Sequence, residues 1–420
     1  MGDDEKGGNL AARSATQLPA SAAAQSSFRF PPSSERRLAP PTSLLLASAL
    51  VSSVARNDPK LRHSPQGAHR WHSAEARARA DDVDAGLERF SFPARSEPPF
   101  VNPYTAAQSD FEQCLAQVKQ HDYEHYLTNL LQTSREARLA HASLRAFQVQ
   151  LARIKDSVSN EDLGRLRVGF FRSAVEAVYA EPLSTTRKAP VESPTLRALC
   201  DTVQRFSLPR EPLERLMDAR ENDLAYPQPA TMQELVQYAE ATQGALLALH
   251  ARVLWTLEPS LGDADADLQH EAEVELIRAV DRTAGRVGRA AGLVRVLQGV
   301  PHHAVRRQTY VPASVMRECG IGVRDMLRAE AGASTGVREA FRRIAQHAQQ
   351  CLDEARADTR SRAHIPRRTR LALLLPAEVC RWYLRALRKC DYNAFDRRLQ
   401  VMPSLRLQLG LLRQRILGRW

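Results

Sequence analysis

No run of eighteen consecutive apolar residues occurs in the chain, so no segment reaches the length a membrane-crossing helix needs. The longest approach, Leu44 to Val54, is too short and is interrupted by serines. Cysteine is scarce: six residues are scattered through 420, with no CxxC pair. That excludes a disulfide framework and a zinc ribbon and points to a reducing compartment. There is no Walker loop, no GxGxxG and no GxSxG, which leaves nucleotide-binding and serine-hydrolase chemistry without a scaffold. Alternating apolar runs long enough for a sheet are missing too. Aromatic residues make up only 6%. They do not interleave with the basic residues as stacking platforms for single-stranded nucleic acid do, so no nucleic-acid partner is expected.

What is present is a soluble composition with a basic bias. Apolar residues are 43%, charged residues 25%, and the formal charge is +11. Residues 1–74 account for part of this, with nine Lys/Arg against five Asp/Glu. The remainder is spread along helices as a basic solvated surface, which suits an anionic lipid surface better than a nucleic acid. Residues 1–105 are rich in Ala, Ser, Pro and Arg and have no sustained apolar period. They are expected to be disordered. Between Gly7 and Ala74 the acids are only Glu35 and Asp58, against eight Lys/Arg. Arg-rich, Ser-rich and acid-poor is the composition of a mitochondrial transit peptide, although Met1-Gly2-Asp3-Asp4-Glu5 departs from it.

From residue 106 to 420 the sequence reads as one all-α domain. Leu144, Phe147, Leu151 and Ile154 follow a helical period, as do Leu235, Tyr238, Thr242, Leu246, Leu249 and Val253. Further helices are expected near Glu161–Ala180, Pro212–Asn222, Glu271–Leu297, Val337–Arg356 and Ala372–Lys389. Breaks are expected at Glu181–Pro194, Ser260–Asp267 and Asp358–Arg370. His121-Asp122-Tyr123-Glu124-His125 spells HxxEH, a zinc signature that also needs a third ligand and a continuous helix.

Several phrases in order carry a family resemblance. They are Asp122 to Leu127 opening the first expected helix, Phe170-Phe171-Arg172, and Leu216-Met217-Asp218 through Asp223-Leu224. Glu234-Leu235, Tyr238-Ala239-Glu240, Tyr310-Val311-Pro312 and Arg388 to Phe395 complete the set. Together the chain resembles the squalene/phytoene synthase superfamily, and within it the mitochondrial complex I assembly factor branch, through Leu144–Val158 and Pro301–Pro312. The resemblance implies an isoprenoid synthase-like helical bundle around a central cavity, with residues 144–157 and 271–298 facing each other across it. It also implies two DxxxD motifs holding Mg²⁺ against a diphosphate. Such spacing places two carboxylates on one helix face, as a hard cation requires.

In this chain both motifs are degraded. The first falls on Ala152 and Asp156, the second on Gly299 and His303. One carboxylate holds Mg²⁺ poorly, so Asp156 is expected to pair with Arg153, Lys155 or a neighbouring helix. His302 and His303 are expected to pack or cap. Asp218 and Asp223 are placed by the resemblance near the cavity mouth. Arg306 and Arg307 are candidates for contacting a phosphate or lipid headgroup, since guanidinium binds phosphate without a metal. The expectation is a pseudoenzyme with no catalytic residues and no cofactor. It would act on a complex I assembly intermediate or subunit from the matrix side of the mitochondrial inner membrane, docked peripherally, with a lipid possible in the cavity. The alternative is an active prenyl-diphosphate condensing transferase with altered metal ligation, for which Mg²⁺ would be required.

Overall fold

The computed structural model describes residues 106–179, 193–225, 228–258, 266–328, 331–361, 365–400 and 405–418. The expected disordered extension and transit segment, 1–105, lie outside the described residues. Among those described, every regular element is helical. In chain order the α-helices are α1 Gln108–His121, α2 Tyr123–Leu130, α3 Arg135–Ser157, α4 Glu161–Tyr179 and α5 Pro194–Arg205. Then come α6 Glu211–Ala225, α7 Met232–Ala239, α8 Ala245–Thr256, α9 Ala266–Val305, α10 Ala313–Glu318 and α11 Val323–Met326. The last are α12 Thr335–Ser361, α13 Arg367–Lys389 and α14 Leu405–Leu417.

Local chemistry accounts for several starts. Ser134 accepts a hydrogen bond from the Ala137 amide at the head of α3, and Thr231 does the same for Glu234 at α7. Pro194 stands in the first turn of α5, where its missing N–H has no partner to lose. At the end of α9 the Gln308 amide reaches the His303 carbonyl and the Arg307 amide the Ala304 carbonyl, which closes the helix with Arg307 at φ +56°. Pro301 sits inside α9, near its end, and the helix continues past it by one turn.

Packing centres on two large apolar clusters, with two smaller ones beside them among the described residues. Leu144, Phe147, Leu151 and Ile154 of α3 pack with Val168, Leu199, Leu216 and Leu249 from α4, α5, α6 and α8. Val287, Leu293 and Leu297 of α9 pack with Phe341, Ile344, Leu373 and Tyr383 from α12 and α13. Between α7 and α8 lies a π-helical segment, Glu240–Gly244, so a single expected helix is instead two joined by one wide turn. The backbone of α9 runs directly against it. A Cβ built on Gly288 would stand 2.2 Å from the Cα of Gly244, and one on Gly292 would stand 2.4 Å from the Cβ of Ala239.

Candidate functional site

The C-terminal ends of α3 and α9 meet, as the motif reading requires, and the meeting is made by ion pairing within the chain. Asp156 is partly exposed and accepts from Arg306 Nη1 at 3.0 Å and lies 3.3 Å from His302 Nε2. Ala152, one turn back on α3, offers a methyl group. Gly299 offers nothing, and the His303 ring occupies its neighbourhood, with Nε2 only 2.5 Å from where a Cβ would be. That ring packs on Tyr310 at 4.5 Å between centroids, and burial pushes it down to about 4, so it is neutral. Arg307 is exposed, with no side-chain partner among the described residues.

Below this surface pair sits a buried polar knot. Asp223 of α6 accepts from Lys155 Nζ at 2.8 Å, from Tyr310 Oη at 2.6 Å and from Tyr238 Oη at 3.2 Å. Arg220 donates to Tyr238 Oη at 2.6 Å. Burial pushes both phenols well above their ordinary range, and the Asp223 carboxylate adds to this. Asp218 is not part of the knot; it points outward to Arg172, which also holds Glu221.

Mg²⁺ needs an octahedral set of oxygens, supplied by at least one or two carboxylates with waters and substrate phosphate. Ala152, Asp156, Gly299 and His303 offer one carboxylate, and a guanidinium already neutralises it. These residues do not fit the metal.

A second cluster, deeper between α3 and α9, was not foreseen. Asp122 is the single residue between α1 and α2, and its carboxylate accepts from Arg145 Nη2 of α3 and Arg295 Nη2 of α9, each at 2.5 Å. His125 Nδ1 lies 2.9 Å from the same carboxylate. Arg145 Nη1 also donates to Gln243 Oε1 at 2.9 Å, a side chain that the π-helical turn supplies. Burial would raise Asp122, but Arg145, Arg295 and His125 outweigh it and hold the carboxyl well below its usual range. His125, His141 and His250 form a row, with centroid separations of 6.4 and 4.7 Å. Burial pushes His125 down to about 4 and His250 to about 3, with the Arg145 charge acting in the same direction. All three are therefore neutral.

The HxxEH phrase resolves differently from its spelling. His121 ends α1 and His125 lies in α2, with Asp122 breaking the helix between them, so the two rings share no helix face. Among the described residues no three His, Cys, Asp or Glu come together to hold a metal ion.

The void lined by His125, Leu144, Arg145, Gln243, His250 and Ala291 is about 20 Å³, room for about one water. Arg145, Asp122 and Gln243 are buried inside the bundle, and Arg295 reaches them from a partly exposed position. The signal that could have found them is a lone arginine in the otherwise apolar stretch Leu144–Phe147, since such a buried charge demands a partner.

The comparisons with known proteins agree with this architecture. A family model described as squalene/phytoene synthase matches residues 118–405. Over 292 residues the chain is 33% identical to a Mus musculus relative named NADH dehydrogenase (ubiquinone) complex I, assembly factor 6, covering 70% of this chain and 78% of that one. The Homo sapiens protein of the same name is 31% identical over the same shares. Among solved structures, a dehydrosqualene synthase in complex with ligand superposes with a TM-score of 0.57 at 19% identity, covering 75% of this chain and 98% of the other. At that identity the superposition speaks to fold alone.

Proposed function

The chain belongs to the squalene/phytoene synthase family, and from that membership we propose that it is a non-catalytic member acting in the assembly of respiratory complex I. The observation that carries the loss of catalysis is the pairing of Asp156 with Arg306 and His302. A metal-dependent prenyl transferase needs cationic charge free to meet a departing diphosphate. Here a single motif carboxylate remains and it is paired with Arg306, and one carboxylate is too few to assemble the Mg²⁺ site that would meet the diphosphate.

The names of the relatives support the role in complex I assembly and a mitochondrial location. Our reading adds that the protein works on the matrix face of the inner membrane, on an early membrane-embedded intermediate. Among the described residues no helix is long and apolar enough to cross a membrane. Peripheral docking suits a chain of formal charge +11, because each Lys or Arg near an anionic leaflet contributes about 1 kcal/mol. The void beside Arg145 and His250, about 20 Å³, is too small for an isoprenoid chain, and we assign the role to the surface of the bundle.

The test is depletion of the protein followed by separation of native respiratory complexes. Assembled complex I and its NADH:ubiquinone activity should fall while the other complexes hold. Normal complex I, or a parallel fall of all complexes, would overturn the assignment. A second arm incubates purified protein with Mg²⁺ and radiolabelled farnesyl or geranylgeranyl diphosphate. Squalene or phytoene above a no-protein blank would revive the transferase reading.

A further inference from the structure

A groove of about 380 Å³ opens between α12 and α13, on helices that contribute nothing to the motif face. Leu352 and Leu384, both buried, form part of its floor. Arg381, Arg385 and Arg388 line it from one face of α13, at the i, i+4 and i+7 spacing that stacks side chains above one another. Arg356 enters from α12, and Tyr392 closes one end. Asp391 and Tyr392 both take left-handed backbone angles, φ +51° and +54°, in the turn that ends α13. Non-glycine residues seldom adopt such angles. The Tyr392 amide bonded to the Leu387 carbonyl at 3.0 Å holds the turn in place.

Charge in this groove is unbalanced. Among the described residues, two carboxylates stand near four guanidinium groups. Glu378 accepts from Arg381 at 2.8 Å and lies 3.9 Å from Arg385. Asp353, at the rim, accepts from Gln349. The Nε of Arg356 is buried without a hydrogen-bond partner among the described residues. Burial and the neighbouring charges of Arg385 and Arg356 hold Arg381 below its ordinary range, against the pull of Glu378. Like charges stacked on one helix face destabilise it unless an anion intervenes.

We propose that this groove binds a phosphate-bearing ligand, its anion held among Arg356, Arg381, Arg385 and Arg388 and its less polar remainder lying over Leu352, Leu384 and Tyr392. Guanidinium forks match phosphate oxygens in bidentate geometry. The surplus of two positive charges suits a dianion, and a volume of about 380 Å³ suits a headgroup-sized molecule. A phospholipid headgroup and a soluble phosphate ester share this chemistry. The site stands on its own geometry and does not depend on the complex I reading.

The experiment uses the full chain and two probes: sn-glycerol 3-phosphate by titration calorimetry, and phosphatidylcholine vesicles with and without phosphatidic acid by flotation. Binding to at least one probe is expected. Arg385→Ala/Arg388→Ala, both at exposed positions, should weaken it at least tenfold with an unchanged circular dichroism spectrum. The control Arg165→Ala/Arg167→Ala removes equal charge from α4 and should stay within twofold. Binding of the soluble ester alone identifies a free metabolite as the source. Vesicle binding that the ester competes away identifies a headgroup. Equal losses in the two double variants, binding to neither probe, or capture of a glutamate-rich peptide in place of both would overturn the proposal.

Discussion

Changing Asp122 to asparagine keeps the shape of the side chain and removes the charge that Arg145 and Arg295 share. Arg145 is buried and its carboxylate partner is Asp122, whereas Arg295 is partly exposed and can turn toward water. Breaking a buried pair by deleting one partner costs about 3–5 kcal/mol, because the remaining charge stays desolvated. For a domain of this size each kcal/mol lowers the melting temperature by about 2–4 °C. The Asp122→Asn variant should therefore melt at least about 6 °C below the parent, followed at 222 nm. Arg145→Met should also destabilise, since it leaves Asp122 buried with Arg295 as its one guanidinium partner. The double variant removes the mismatch and should recover at least half of the summed loss, as coupled neighbours do. A shift below about 2 °C for Asp122→Asn, or a double variant that loses the full sum, would refute the view that these charges form one unit.

Three further outcomes follow from the same structure. Gly288→Ala drives a methyl group into the backbone of Gly244 and should cost at least about 2 kcal/mol. Gly169→Ala, with nothing within 4 Å of the new Cβ, should instead add about 0.5–1 kcal/mol of helix stability; paired denaturant melts compare the two. His125 and His250 have folded pKa values of about 4 and 3, below the unfolded value near 6.5. Their protons bind better to the unfolded chain, so stability should be full above pH 6.5 and fall by a few kcal/mol as pH drops toward 4. His250→Leu should flatten that slope in melts across the range. Finally, Ala152→Asp/Gly299→Asp/His303→Asp should bind Mg²⁺ in calorimetry more tightly once Arg306→Ala is added, because Arg306 otherwise competes for Asp156; equal affinities would show that the guanidinium does not hold the site.

The helical fold was readable wherever an apolar stripe was long. Leu144, Phe147, Leu151 and Ile154 mark α3 well enough to locate its buried face, while Asp156 lies on the exposed side of the same helix. α1 was missed: its apolar residues Phe111, Cys114 and Val118 stand among glutamines and charges, and the first helix was expected to open at Asp122. That residue is instead the break between two helices, which also dismantles HxxEH. The π-helical turn left no trace because Tyr238, Thr242 and Leu246 fit an ordinary helix as well. The buried charges were hidden for another reason. Asp122 is 23 residues from Arg145 and 173 from Arg295, and no local pattern encodes a partnership across such distances. Nothing in the sequence ties His302 and Arg306 to one carboxylate; the fold brings both to Asp156.

The pairing of Asp156 with Arg306 also bears on what a metal site here would require. An aspartate arising alone at position 152 would stand one turn from Asp156 and repel it. One arising alone at 299 would meet the His303 ring, whose Nε2 stands 2.5 Å from the new Cβ. One carboxylate holds Mg²⁺ poorly, so restoring a metal site takes changes at 152, 299 and 303 together. As the chain stands, the guanidinium of Arg306 meets the carboxylate of Asp156, a cation supplied by the chain itself.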